Sequence, residues 1–543
     1  MPQSQPSALS VEVPALVGQP ARQTGWLTDV WLACLLGLLT ASAAWTLRFD
    51  FLQQDGEKIL SLFTAPWHAR PHWYHVLHLE TARALGLLGL SPYDSLRATS
   101  ALYAGVSVAA LAALFAASVR GSSKSPHAAW VLLLCTPAFW FHARLIEVHT
   151  AQLFGAVLVS WAAWLAAKQG LLLRGLLVFA GVSLGALLHR ANLLLAAPLA
   201  AAPAIRAWMA GRTPPRAGSR SPASGGEPDA RTTDLNRLGF PSRYAQPLAN
   251  LAGALLALPL LQWAWSASSM GPEKGAWEMN LWLLVSFWKG ISAQFLWNDL
   301  LFGLPCAPLV LVSAATLLMS APKSLSEFEL FSILAAVFLV CFYTLFGETT
   351  RGGYMLGIAP AACGALSASL RAWPATQGSR WLRPAFVGTC LAGAWVAVAH
   401  SEPEAGPPLE QAMRLKREGL RALREELGVP ICVLSSDPAE QVVNGQIEGL
   451  YEICLFPILK TSSQAGHALP DVIASTQAAV IARLRPYGLP VLLTGATEQG
   501  LDFPLLAEAE RLLEQLFVAE LGAEPRSLGP LRLQVPSLPP VGP

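Results

Sequence analysis

The sequence predicts an α-helical polytopic membrane protein of about eleven transmembrane helices, followed by a small soluble α/β domain. Three observations predict it. The 543 residues are 53% hydrophobic and only 13% charged, where an average soluble domain is about one quarter charged. The mean hydropathy of the whole chain is +0.43 and its apolar residues are gathered into long uncharged runs, which excludes disordered, collagen-like and disulfide-scaffold classes. From about residue 401 the pattern changes, as charges return and short β-rich runs alternate with amphipathic helical ones. A net charge of +2 carries no signature of nucleic-acid binding.

Residues 1–26 lack the basic start and short apolar core of a cleavable signal peptide and read as a disordered cytoplasmic tail. Residues 27–400 form the membrane domain. Its spans are expected near 30–47, 98–119, 128–143, 150–167, 175–188, 191–205, 247–267, 301–321, 330–346, 352–370 and 385–399. Trp26, Trp31 and Trp45 are placed to anchor the first span at its two interfaces. The stretch around His189 and Arg190 reads either as two short spans or as one long broken helix. Charge favours two, because the loop 206–246, with Arg206, Arg212, Arg216, Arg220, Arg231, Arg237 and Arg243, then joins the N-terminus on the more basic, cytoplasmic side. Within that loop, 214–230 is rich in Pro, Gly and Ser and reads as a flexible linker. Residues 281–297 carry Trp282, Trp288 and Trp297 around Lys289, which suits a helix lying on the outer surface.

Residues 401–543 then form an extracytoplasmic α/β domain, with strands expected at 431–434 and 491–494 and helices at 471–485 and 503–521. It has no glycine-rich phosphate loop. Cys432 and Cys454 are its only cysteines and, once exported, are candidates for pairing. The other six lie in or near apolar spans and read as packing residues.

The candidate chemistry lies in four polar clusters on the outward face. The loop 48–97 is dense in polar groups: Asp50, Asp55 and Glu57, then His68, Arg70, His72, His75 and His78, with 72–90 periodic as a helix lying on the bilayer. Two carboxylates two residues apart in Asp55-Gly56-Glu57 suit a divalent cation or a general base, against the plainer reading of a solvated loop acid. A second loop reads Ala143 to Thr150, with Arg144, Glu147 and His149 at the membrane boundary, where ionisable groups are costly unless they face a cavity or one another. The plain account of Arg144 alone is snorkelling. His189, Arg190 and Asn192 form a third cluster, and Glu348, Thr349, Thr350, Arg351 and Tyr354 a fourth. Arginine in such a position suits phosphate, since its fork donates two bonds to one anion. The histidines of the 68–78 run read as amphipathic filler more than as metal ligands.

Asp55-Gly56-Glu57, the segment Thr136 to His149 (TPAFWFHARLIEVH) and Leu187 to Leu195 (LLHRANLLL) together resemble the GT-C superfamily of membrane glycosyltransferases. The closest resemblance is to the branch of transmembrane protein O-mannosyltransferases related to transmembrane protein 260, whose motifs are Asp-Ser-Gly-Glu, a segment ending in Glu-Val-Tyr, and a His-and-Asn turn. The match covers about the first 200 residues, and Arg351 to Pro360 is more loosely similar to an Arg-Tyr-Leu-Pro turn. Here the order is Gln54-Asp55-Gly56-Glu57, Ala69 to His75 (ARPHWYH) stands for a His-Pro-Pro-Gly-Tyr run, and His149 replaces the Tyr.

The resemblance implies transfer of a sugar from a polyprenyl-phosphate donor to an extracytoplasmic acceptor, a protein, glycan or lipid, by a mannosyltransferase-like multi-pass protein of a bacterial inner membrane. Asp55, Glu57 and Glu147 would be catalytic, with a divalent cation as the one candidate cofactor. His75, Arg144, His149, His189, Arg190, Asn192, Arg351 and Tyr354 would bind substrate. A rival reading is a glycolipid flippase or transporter, for which neither an internal repeat nor midplane charge is seen. A third is a scaffold that displays the C-terminal domain.

Overall fold

The computed structural model describes residues 23–48, 76–118, 127–211, 244–266, 300–320, 325–346, 353–372, 377–399, 408–428, 431–435, 450–454, 491–494, 524–528 and 531–535, with a few isolated positions between them. Helix α1 (Gln23–Thr46) lies along α3 (Pro92–Ser118), with α2 (Val76–Gly86) between them in sequence. The two long helices touch through glycine: a Cβ on Gly37 would stand 2.6 Å from the Gly105 carbonyl oxygen. Small residues are what membrane helices use to approach this closely. The outer face of α1 shows Trp31, Leu35, Leu38 and Leu39 exposed, as a lipid-facing surface requires.

Helix α2 falls within the 72–90 stretch expected to be helical from periodicity. It buries His78, Leu79 and Ala82, and Arg83 Nη2 donates to the Phe63 carbonyl at 3.3 Å. Helix α3 starts earlier than hydropathy indicates, at Pro92, because Ser91 caps it: its hydroxyl accepts from the Asp94 amide at 3.1 Å and donates to the Asp94 carboxylate at 2.8 Å.

The expected span 128–143 is not one helix. It divides into α4 (His127–Leu134) and α5 (Pro137–Ala143). Pro137 lacks the amide a continuous helix needs and pushes Thr136 into extended backbone (φ −90°, ψ 117°). Helix α6 (His149–Ala166) and α7 (Leu171–Leu188) then pack together, and α7 stops at His189, itself extended (φ −161°, ψ 127°). The expected span 191–205 begins as a 3-10 turn, Arg190–Leu195, before α8 (Ala196–Gly211).

The chain reverses there. Within helix α9 (Ala245–Ser266), Asn250 Nδ2 donates to the Leu199 carbonyl at 2.8 Å, while Gly253, one turn on, packs against the Gly175 carbonyl. Residues 175 and 199 thus lie beside the same turn of α9, whereas a continuous helix would hold them about 36 Å apart. Two antiparallel segments meet at His189.

Helices α10 (Ala307–Ser320), α11 (Glu327–Phe346), α12 (Gly353–Leu356), α13 (Ala359–Ala372) and α14 (Gln377–Ala399) complete the bundle. The expected span 352–370 is broken between α12 and α13. Thr28–Thr46, Pro92–Ser118, Leu171–Leu188 and Arg190–Met209 are long and apolar enough to cross a bilayer, with shorter apolar helices at Ala245–Leu261, Ala307–Met319 and Pro384–Ala397. The chain is an integral membrane protein. One buried ion pair ties its far end: Arg174 donates to both Glu327 oxygens at 2.9 and 3.0 Å.

Helix α15 (Pro408–Leu427) precedes five strands, β1 (Ile431–Ser435), β2 (Leu450–Cys454), β3 (Val491–Thr494), β4 (Glu524–Leu528) and β5 (Leu531–Val535). They form one sheet in the order β2-β1-β3-β5-β4, parallel across β2-β1-β3 and antiparallel beyond. The register overturns the Cys432–Cys454 pairing. Cys432 lies opposite Tyr451, and Cys454 opposite Ser435. Three residues of offset on neighbouring strands put the two Cα atoms about 11 Å apart, beyond the roughly 7 Å a disulfide tolerates. The surface helix expected at 281–297 lies outside the described residues, as do nearly all of 471–485 and 503–521.

Candidate functional site

The site is built from the broken ends of these helices. Pro137 stops α4 short, so the seven residues of α5 end at Ala143 and the chain turns through Arg144 to Val148 before α6 begins. Ser100 of α3 fixes that turn, accepting from the Glu147 amide at 3.3 Å while standing 3.2 Å from the Glu147 carbonyl. His142, Glu147 and His149 are all buried, and one ligand atom from each lies within 4.8 Å of the others. The rings of His142 and His149 meet edge to face at 4.7 Å between centroids.

Gln152, one turn into α6, determines how His149 presents itself. Its Nε2 donates to the Tyr343 hydroxyl at 3.3 Å and to the Tyr354 carbonyl at 3.4 Å. A carbonyl only accepts, so the amide nitrogen faces Tyr354 and its oxygen faces His149 Nδ1, at 3.2 Å. His149 Nδ1 therefore carries the hydrogen, and the Nε2 lone pair points to Glu147 Oε2 at 3.9 Å. Backbone closes the far side: a Cβ on Gly353 would stand 2.5 Å from His149 Nε2 and 2.7 Å from its Cγ. No other residue fits there with His149 in place.

His189 and Tyr354 complete the wall. His149 lies 5.2 Å from Tyr354 and 6.1 Å from His189 between centroids, and His189 lies 5.9 Å from Tyr354. Burial, with His149 and Arg190 nearby, holds the His189 imidazole well below its usual value, so the ring is neutral. Its Nδ1 accepts from the Ala191 amide at 3.3 Å, which leaves the hydrogen on Nε2 as a donor.

Of the sequence-predicted residues, the structure brings together Glu147, His149, His189 and Tyr354. Arg190 is exposed beside His189. Asn192 Nδ2 donates to the carbonyls of Gln152 and Gly185 at 3.1 and 2.9 Å, so its amide ties α6 to α7. Arg144 is buried and donates Nε to the Leu47 carbonyl at the end of α1, a helix tie in place of a snorkelling cation. Asp55, Glu57, His75 and Arg351 lie outside the described residues.

Ile59, four residues after Asp55 in the sequence, is fully buried in one cluster with Ile146 and Val148, the two neighbours of Glu147. Sequence reasoning missed His142, Gln152 and Gly353. The signal for His142 was present, an ionisable residue inside an apolar run and seven positions before His149. Gln152 and Gly353 carried none.

The architecture is that of an integral membrane helical bundle in which broken helices gather polar groups. The chain is similar to the crystal structure of ArnT from Cupriavidus metallidurans, with a TM-score of 0.50 and 12% identity over 96% of this chain and 100% of that one. That structure holds ArnT bound to undecaprenyl phosphate. At this identity the likeness is one of fold alone, and it does not reach the O-mannosyltransferase branch. No protein-family model and no curated protein matches the chain.

Proposed function

We propose that this protein is a glycosyltransferase of a bacterial inner membrane that takes a sugar from a polyprenyl-phosphate carrier and transfers it to an extracytoplasmic acceptor. The observation that supports this best is the buried cluster of Glu147, His149, His189 and Tyr354, beside which Ile59, four residues after Asp55 in the sequence, shares one apolar cluster with Ile146 and Val148. The ArnT-like fold agrees with a lipid-phosphate donor.

In this reading Asp55 removes the proton from an acceptor hydroxyl as its oxygen attacks the anomeric carbon. The bond from that carbon to the phosphate oxygen breaks, and polyprenyl phosphate leaves as the anion. Arg190 and Arg351 hold that phosphate, and the Nε2 hydrogen of His189 is a further donor to it. Glu57 orients the base. The C-terminal domain, outside the membrane on the same face, selects the acceptor.

The test is release of undecaprenyl phosphate from radiolabelled undecaprenyl-phosphate sugars by the purified protein in detergent, with solubilised native membranes as acceptor source. Asp55→Asn should abolish release and leave the melting temperature unchanged. Full activity in that variant refutes the assignment of the base. A wild type that binds the lipid and never consumes it supports the flippase, since detergent leaves no sides to cross.

A further inference from the structure

The observations around His149 carry a consequence that does not depend on sugar transfer. Two lone-pair bearers, His149 Nε2 and Glu147 Oε2, face each other at 3.9 Å in a site 3% and 5% exposed. A proton does not bridge that distance, because an N–H to carboxylate bond lies at about 2.7–3.2 Å. A metal ion does: bonds of about 2.0–2.2 Å to nitrogen and oxygen put neighbouring ligand atoms roughly 3.3–3.5 Å apart in a tetrahedral site. His142 supplies a third ligand atom, within 4.8 Å of both others. A closure of about 1 Å assembles the set.

We propose that His142, Glu147 and His149 form a binding site for a divalent transition-metal ion of the zinc type. Four independent features agree. The ligand set is two imidazoles and a carboxylate, the borderline chemistry zinc takes. All three come from one eight-residue segment, 142–149, so the chelate closes at small entropic cost. Each is buried, where carboxylate charge is expensive and a dication offsets it. His149 also has the outer partner that metal-bound histidines use, its Nδ1–H donating to an amide oxygen that is itself held by Tyr343 and Tyr354.

His189 is not a ligand. Its Nδ1 lone pair is engaged by the Ala191 amide and its Nε2 carries hydrogen. Among the described residues three ligands are supplied, which leaves a fourth position as in zinc sites that take a water or an anionic oxygen. Gly353 passes directly over the His149 ring, so the ion also locks the α12 backbone to the segment between α5 and α6.

The test is metal analysis of the full-length protein purified in detergent without chelators, with Zn2+ and Co2+ as probes. The expected result is about one zinc per chain, and a Co2+ derivative with the strong visible absorption of tetrahedral coordination. His142→Gln, Glu147→Gln and His149→Gln should each weaken Zn2+ binding at least tenfold, and Gln152→Leu by a smaller factor through the outer partner. A wild type that binds no Zn2+ or Co2+ and shows no rise in melting temperature with either overturns the proposal. So does zinc that stays at full stoichiometry in all three ligand variants. Should a variant fail to fold, the Co2+ spectrum of the wild type, loaded and then stripped by chelator, decides alone: octahedral or absent bands refute the site. Transfer activity plays no part in these readouts, so the two readings fail separately.

Discussion

Arg174 and Glu327 join α7 to the first turn of α11 by two parallel bonds of 2.9 and 3.0 Å, with side chains 0% and 6% exposed. Removing one partner leaves an uncompensated charge inside the bundle, which destabilises by about 3–5 kcal/mol. Coulomb attraction at about 4 Å and an effective dielectric near 20, about 4 kcal/mol, falls in the same range. Arg174→Met and Glu327→Leu should therefore each destabilise by roughly that amount, and the double variant should return to within about 1–2 kcal/mol of the parent, since well-packed apolar pairs replace buried ion pairs at little net loss. Unfolding titrations in mixed detergent micelles, closed as a double-mutant cycle, measure the coupling. Arg174 also sits 15 residues before His189, about 22 Å along α7. Turnover per folded molecule should be unchanged in all three. Additive single effects would refute the reasoning, for they would mean that each side chain is held by something other than its partner.

Gly353→Ala should destabilise by about 1–3 kcal/mol and weaken Zn2+ binding, because the new Cβ meets a ring that Gln152 holds in place. Gly388→Ala, which meets nothing within 4 Å, is the control, and equal melting shifts in the two would sink the claim. His78 is buried against the Tyr103 ring at 5.9 Å between centroids, and burial lowers its pKa to about 4. The folded state then binds fewer protons than the unfolded one between about pH 6.5 and 4. Stability present above pH 6.5 is lost progressively down to pH 4, and His78→Phe should flatten that part of the melting curve against pH. An unchanged slope would assign the acid sensitivity elsewhere.

How much of the site is legible in the sequence depends on which residue is asked. Glu147 and His149 stand out because an ionisable group at a membrane boundary is unusual by itself. Arg144 stands out for the same reason and Asn192 as a polar amide between apolar spans, yet the structure turns both to backbone carbonyls, a role their composition does not distinguish from ligand binding. Gln152 is an ordinary polar residue in an apolar helix, and its importance arises only because Tyr343 and Tyr354, about 200 positions later, pack against it.

The sequence by itself determined that the chain lives in a membrane, where most of its helices fall, and that its polar chemistry clusters in a few short segments. Those are local properties, averages over some twenty residues set by the thickness of the bilayer. Charge already favoured the reversal at His189, but the tertiary structure alone decided that 128–143 breaks at Thr136, that Cys432 and Cys454 are out of register, and that His142 joins Glu147 and His149. Each depends on what packs against a segment, and helices in a membrane choose their neighbours by close fit and buried hydrogen bonds between residues far apart in the chain, which hydropathy does not encode.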